Sequence, residues 1–301
     1  MDYTDVNLAA TFRYLKGHMS LDTRTLLTAL RAPSLSDELK VYYQPIIRLR
    51  SGSILGYEAL LRWDHPALGM IPPDIFITFA EQHELMPEIT QILFKKVIQD
   101  QACWNHNEST LISLNISAQT LTDDDLLKLL NSLVSGTQVS NKQVMIEITE
   151  TATLTNPQKA RTLIKELSKE GFSFALDDFG TGYSSLTNLR DLQVNEIKID
   201  KSFIQNIDGH SHADQVLIDA ILSIAHAFGS YVVAEGIETQ QTLALLKSMN
   251  CYAGQGYLFA KPMPANAIDD WHEQWPAQWR QLTNQAHRAV IWALSEQKKP
   301  R

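Results

Sequence analysis

At 301 residues, 44% of them hydrophobic, the chain is long enough for one large α/β barrel or two ordinary domains, with a sizeable core in either case. Its formal charge of -8 argues against a general nucleic-acid or anionic-membrane surface, because such surfaces select basic patches, and it leaves any phosphate substrate dependent on local cations. Cys103 and Cys251 are the only cysteines, so there is neither a disulfide framework nor a thiolate metal spacing, and a reducing cytoplasm fits. The opening Met1-Asp-Tyr-Thr-Asp-Val6 carries early acid and no long apolar run, so no signal peptide is expected. No stretch approaches the length of a membrane span.

Residues 1–38 read as a helical lead-in, with Leu26, Leu27 and Leu30 at helical spacing before Pro33 and Ser34 break the pattern. From there, strand-like runs are expected at Lys40–Ile47, Ile54–Trp63, Leu111–Ile116, Val144–Ile148, Phe172–Leu176, Glu196–Ile199, Tyr231–Ala234 and Gly256–Phe259. Helical patterns lie between them at Ile89–Trp104, Asp124–Leu133, Pro157–Lys169, Ala213–Ala227 and Thr239–Met249. Strand alternating with helix over this length implies a parallel sheet with crossover helices, and the number of units favours closure into a TIM-like (β/α)8 barrel over residues 39–266. Residues 267–301 form a Trp-rich helical extension and a short tail expected to be disordered. Trp271, Trp275 and Trp279 recur every four residues, which puts them on one helix face, and Pro276 reads as the start of a helical turn. Packing of that helix on the barrel is expected, with a partner surface as the alternative.

The chemistry-bearing residues sit at strand ends. Ile54–Trp63 carries Glu58 and Arg62 on one face, Leu111–Ile116 carries Asn115, and the run from Val144 carries Glu147 with Glu150 just beyond. Asp177 and Asp178 end the apolar run Phe174-Ala-Leu176, the next strand carries Lys198 with Asp200 two residues on, and Glu235 precedes Gly236. Asp177 shares a strand face with Ala175, and the chain can turn Asp178 toward the same opening as the strand ends. Adjacent carboxylates repel, and protonation or a cation relieves that repulsion, a divalent metal being the natural occupant. In a parallel barrel the carboxyl ends of the strands meet at one mouth, so these groups converge. Hard oxygen ligands without cysteine or a paired histidine motif point to magnesium or manganese. His65, His83, His106, His210, His212 and His226 form no metal-ligand spacing.

Tyr43-Gln-Pro-Ile46, Tyr57-Glu-Ala-Leu-Leu-Arg-Trp63, Leu114-Asn-Ile-Ser117, Glu147-Ile-Thr-Glu150, Asp177-Asp-Phe-Gly-Thr-Gly-Tyr-Ser-Ser185, Lys198-Ile-Asp200, Glu235-Gly-Ile-Glu238, Gln255-Gly-Tyr257 and Lys261-Pro-Met-Pro264 occur in this order. Together they resemble the signature of EAL-domain cyclic di-GMP phosphodiesterases, from about Leu39 to Ala265. The resemblance implies a modified EAL-type barrel with one antiparallel strand, and hydrolysis of cyclic di-GMP to linear pGpG with two Mg²⁺ or Mn²⁺ ions. Glu58, Asn115, Glu147 and Asp177 would hold one ion. Asp177 and Asp178 would hold or bridge to the second, with Glu235 serving as ligand or as general base. Lys198 would position or polarise the attacking water. Arg62 would grip a phosphate oxygen, and Gln44, Asp200, Glu238 and Gln255 would contact substrate. The loop after Asp178, with Phe179, Gly180, Thr181 and Gly182, would link the metal site to a homodimer surface, braced by Glu150.

Two other readings stay open on residues alone. One is a catalytically silent cyclic di-GMP receptor, against which every expected ligand is retained. The other is a magnesium barrel that abstracts a proton beside a carboxylate; it needs a Lys or His pair opposite the metal, whereas Asp177-Asp178 favours phosphodiester hydrolysis.

Overall fold

The computed structural model describes residues 23–105, 110–123, 125–149, 152–153, 156–180, 186–205, 207 and 212–296. The expectations for residues 1–22, His106, Glu150, Thr181, Gly182, His210 and the tail after Glu296 lie outside the described residues.

The strands are β1 (Leu39–Arg48), β2 (Ile54–His65), β3 (Gly69–Ile71), β4 (Leu111–Ile116), β5 (Val144–Thr149), β6 (Ser173–Phe179), β7 (Glu196–Ile199), β8 (Tyr231–Ala234), β9 (Ala253–Gly254) and β10 (Met263–Pro264). β2 and β4 through β9 pair in parallel, each with the next. β1 closes the ring by pairing antiparallel with both β2 and β9. The result is a TIM-like barrel with one reversed strand, while β3 and β10 only extend its rim. The reversal has a local cause: residues 49–53 are too short for a crossover helix, so they fold as a hairpin turn and set β2 antiparallel to β1.

The expected strand at Gly256–Phe259 is instead a turn, and the closing strand is the earlier Ala253–Gly254. The apolar Tyr257-Leu-Phe259 run imitates a strand, but Phe259 N and Ala260 N both donate to Gly256 O, bonds of a turn rather than of a ladder. Gly256 is pressed so closely on Ile237 that a Cβ there would lie 2.1 Å from its carbonyl oxygen.

Crossover helices Met86–Cys103, Leu126–Val134, Pro157–Lys169, His212–Phe228 and Gln240–Ser248 cover the barrel. Their apolar faces meet the outward faces of the strands in one continuous core, which includes Trp63, Phe76, Phe94, Phe174 and Ile197. Helix Thr23–Leu30 joins that core through Leu26 and Leu30. A separate small cluster of Ile46, Leu55, Val233 and Ala253, with Leu111 and Tyr231 against it, fills the barrel interior.

The last helix, Ile268–Glu296, packs Trp271, Trp275 and Trp279 on the barrel. Trp275 is 1% exposed and its Nε1 donates to Gly52 O at 2.7 Å, so the helix latches the turn between β1 and β2. Trp271 stacks on Trp275 at 5.0 Å, and Phe259 meets Trp275 edge-on. Pro276 lies inside this helix and does not start it. An interior proline costs roughly 3 kcal/mol in lost hydrogen bonding and steric clash. Burial of the neighbouring Trp275 and Trp279 side chains, at about 3 kcal/mol each, outweighs that cost.

Candidate active site at the carboxyl ends of the strands

Neighbouring strands place Asn115 beside Glu147 and Glu147 beside Ala175, with Asp177 one pleat further along β6. Between Leu176 and Phe179 the pairing of β6 with β7 gains a residue: three steps on β6 face two on β7, from Ile197 to Ile199. This bulge falls on Asp177-Asp178. Asp178 takes φ +55°, in the left-handed region that Asp enters more readily than most residues, and its backbone N–H donates to Asp177 Oδ1 at 3.0 Å. The bulge turns both acids to one side of the strand, where oxygens of Asp177, Asp178 and Glu235 all lie within 4.8 Å of one another. Glu235 just overruns β8, its N–H held by Ile199 O. The following Gly236, at φ +70°, sits so close to Lys201 that a Cβ would lie 2.6 Å from the lysine Cβ.

Lys198 forms the hub of this arrangement. Its ammonium is fully buried and lies 2.7 Å from Glu235 Oε1, 2.8 Å from Glu147 Oε2, and 3.4 Å from both Glu58 Oε1 and Asp177 Oδ1. Around Glu58, Asn115 Nδ2 donates to Oε1 at 3.0 Å and Gln255 Nε2 to Oε2 at 2.6 Å. Gln255 Nε2 also reaches Gln44 Oε1, and Gln44 Nε2 donates to Ala260 O. Gln255 follows β9 directly, fixed by bonds from its N–H to Ala234 O and from Ile237 N to its carbonyl.

One lysine among so many acids leaves an excess of negative charge, and the protonation equilibria register it. Burial pushes Glu235 up to about 8 despite Lys198, with Asp177 and Glu58 adding to the rise. Burial likewise raises Glu147 well above the carboxylate range, and burial and Asp177 raise Asp178. Burial would raise Glu58 too, but Lys198 and the hydrogen bonds from Gln255 and Asn115 outweigh it and hold Glu58 low. Burial opposes the charge on Lys198, yet the surrounding carboxylates lift it well above the ordinary lysine value.

This donor set fits divalent cations. It consists of hard carboxylate oxygens in excess of the available protein cation, and Glu147 Oε1 is buried without a hydrogen-bond partner. Asn115 spends its amide N–H on Glu58 and leaves its carbonyl oxygen to a ligand.

Above the cluster opens a cavity of about 430 Å³, lined by Gln44, Glu58, Leu60, Asp177, Glu235, Glu238 and Gln255 among others. Two expected contacts stand apart from its lining. Arg62 Nη1 donates to Leu61 O, and its guanidinium lies 6.0 Å from the Tyr42 ring centre. Asp200 caps helix Lys201–Ile204 by accepting from Ser202 N; burial opposes its ionisation, but the Ser202 hydrogen bonds prevail and lower its pKa. Sequence reasoning missed Lys201, Gln205 and Tyr257, which line the same cavity. Lys201 directly follows the motif Lys198-Ile-Asp200, and Tyr257 closes the motif Gln255-Gly-Tyr257 without having been given a role there, and those positions were the available signal.

Fold and site together define a TIM-like barrel with one antiparallel strand and a carboxylate-rich, cation-seeking centre at its strand ends. The sequence model of the EAL domain matches residues 24–262, and the chain belongs to that family. A cyclic di-GMP phosphodiesterase of Pseudomonas aeruginosa is 36% identical over 249 residues, covering 82% of this chain and 42% of the relative. Cyclic di-GMP phosphodiesterase PdeR of Escherichia coli is 35% identical over 249 residues, covering 82% of this chain and 37% of the relative. The chain thus spans well under half the length of these curated relatives. Among solved structures, PaMucR phosphodiesterase in complex with c-di-GMP superposes with a TM-score of 0.76 at 31% identity, over 81% of this chain and 99% of that one. The FimX EAL domain of Pseudomonas aeruginosa bound to c-di-GMP gives 0.71 at 25% identity, over 80% and 96%. No helix among the described residues is long and apolar enough to cross a membrane.

Proposed function

We propose that this chain hydrolyses one phosphodiester of cyclic di-GMP to give linear pGpG, with two Mg²⁺ or Mn²⁺ ions, in the cytoplasm. The observation that carries the reading is the single buried Lys198 among Glu58, Glu147, Asp177 and Glu235, with Asp178 turned in beside them. Such an excess of acid is tolerated where divalent ions belong. Glu58, Asn115, Glu147 and Asp177 would hold one ion, and Asp177, Asp178 and Glu235 the other. When bound, the ions supply a water of lowered pKa and offset the charge of the phosphodiester.

The remaining residues act directly. Lys198 orients the attacking water through its ammonium, and Glu235 is the alternative general base for that water where it stands free of the ion. Gln255 holds Glu58 and also donates to Gln44, and both glutamines line the cavity in which the substrate lies. Lys201 supplies positive charge inside that cavity, and Tyr257, 58% exposed, offers a ring face for stacking a base. Arg62 reaches a phosphate only after leaving its contacts with Leu61 and Tyr42. Residues 39–266 carry the catalysis in this reading, and a homodimer forms through the loop after Asp178.

The test is incubation of purified protein with cyclic di-GMP and Mg²⁺ or Mn²⁺, with and without chelator, and separation of the nucleotides by chromatography. Chelator-sensitive pGpG is the expected result. Bound but intact cyclic di-GMP moves the reading to a receptor, and neither binding nor turnover refutes it.

A further inference from the structure

Glu196 is a buried acid that the hydrolytic reading leaves without a part. It opens β7 two residues before Lys198, so both side chains enter the barrel from one strand face. Across the sheet Asn115, Glu147, Ala175, Glu196 and Tyr231 form one row in register. Glu147 and Glu196 therefore flank Ala175, whose methyl group takes up little of the space between them. Glu196 is 1% exposed, and its Oε1, like that of Glu147, has no hydrogen-bond partner. Its anchor is the Tyr231 hydroxyl, which donates to it. The Tyr231 ring in turn rests 4.8 Å from that of Tyr252, whose hydroxyl accepts from Arg48 Nε at 3.2 Å.

A buried carboxylate with an idle oxygen is costly unless a positive charge answers it. Lys198, two residues along the same strand face, is the cation placed to answer it: its charge opposes the rise that burial imposes on Glu196, although its ammonium here pairs with Glu58, Glu147, Asp177 and Glu235. The carboxylates now around Lys198 are those that the two cations would claim, and an ammonium with three donors needs acceptors after they are taken. Among the described residues, Glu196 is the buried interior acid outside the proposed ligand set.

We propose that Glu196 is a positioning residue, whose carboxylate becomes the partner of the Lys198 ammonium once cations occupy the carboxylates above, with Tyr231 holding Glu196 in place. This rests on the two-cation hydrolytic reading. Lys198 then keeps its place beside the attacking water through an acid below it, on its own strand.

The experiment follows the Lys198 ammonium by NMR in the ¹⁵N-lysine-labelled 301-residue chain, with chelator and with Mg²⁺, the signal being identified by its loss in Lys198→Met. In wild type the signal is expected to persist at a changed shift when Mg²⁺ is added. In Glu196→Gln it is expected to broaden away with Mg²⁺ alone, with kcat falling about 10²-fold at unchanged KM, the scale of a misplaced reacting group. Glu196→Asp should recover part of both, and Tyr231→Phe should lower kcat less, in the same direction. A wild-type signal that vanishes with Mg²⁺ overturns the proposal, as does a Glu196→Gln protein with wild-type signal and kcat. Should Glu196→Gln fail to fold, wild-type signal and kcat in both Glu196→Asp and Tyr231→Phe overturn it equally. A wild-type protein that leaves cyclic di-GMP intact refutes the hydrolytic reading, whereas the Lys198 signal still decides the part of Glu196.

Discussion

The two ends of the barrel solve opposite problems. At the end where β1 turns into β2, Trp275 and Trp279 cover Gly52, the Trp275 N–H is satisfied, and the contacts are apolar. At the carboxyl ends of the strands, Lys198 and its carboxylates are buried with more acid than protein cation, and Glu147 keeps an idle oxygen. The first end contributes stability, and the second holds charge in readiness for a ligand, the usual division of labour between the faces of such barrels.

The largest effect should come from removing the hub. Lys198→Met is expected to abolish measurable hydrolysis, a loss of at least about 10²-fold, and with chelator present to destabilise the fold by about 3–5 kcal/mol, since it leaves buried carboxylates facing one another. Steady-state rates and denaturant titrations read the two consequences separately. Glu58→Ala should also end hydrolysis, through lost cation affinity, whereas Glu235→Gln should end it while leaving much of the cyclic di-GMP binding. Calorimetry on both variants separates a lost ligand from a lost base.

At the opposite end, Trp275→Ala should cost about 3–5 kcal/mol and leave kcat per folded molecule near wild type. A kcat that falls with the stability would break the proposed separation of the two ends. A smaller stabilisation follows from cations themselves: at a hundredfold excess over Kd, Mg²⁺ or Mn²⁺ should add about 2.7 kcal/mol, removable by chelator and read as a shift in Tm.

The pH dependence is subtler. Glu235 and Glu147 have folded pKa values raised by burial, Glu235 to about 8, so the stability they contribute is complete below their ordinary range and is lost as pH rises through the folded value. Glu58 acts in the opposite sense at low pH, and the loss on Lys198 falls above its already elevated pKa, outside this window. With chelator, the protein is therefore expected to lose stability between about pH 5 and 8. Cation binding at pH 7 should release protons, measurable by calorimetry in buffers of different ionisation enthalpy. Binding without proton release would show that these carboxylates are already ionised.

Much of this was legible in the sequence. Alternating strand and helix patterns determined a barrel, and Glu58, Asn115, Glu147, Asp177, Lys198 and Glu235 could be brought to one mouth because parallel strands share their carboxyl ends. The motif order determined the family and implied one antiparallel strand, which the tertiary structure assigns to β1. What only the tertiary structure decided depends on contacts between residues distant in the chain. Closure by Ala253–Gly254 rather than by Gly256–Phe259 follows from the approach of Gly256 to Ile237, while an apolar run taken alone reads as a strand. Pro276 sits inside a helix because the neighbouring tryptophans bury against the barrel, and local propensity does not record that burial. Lys198 and Glu196 show the same limit: alternation places both on one strand face, but the number of acids crowding one ammonium, and the oxygens left idle, are set by β2, β5, β6 and β8 arriving together. Periodicity is a property of one segment, whereas charge balance belongs to the assembled interior.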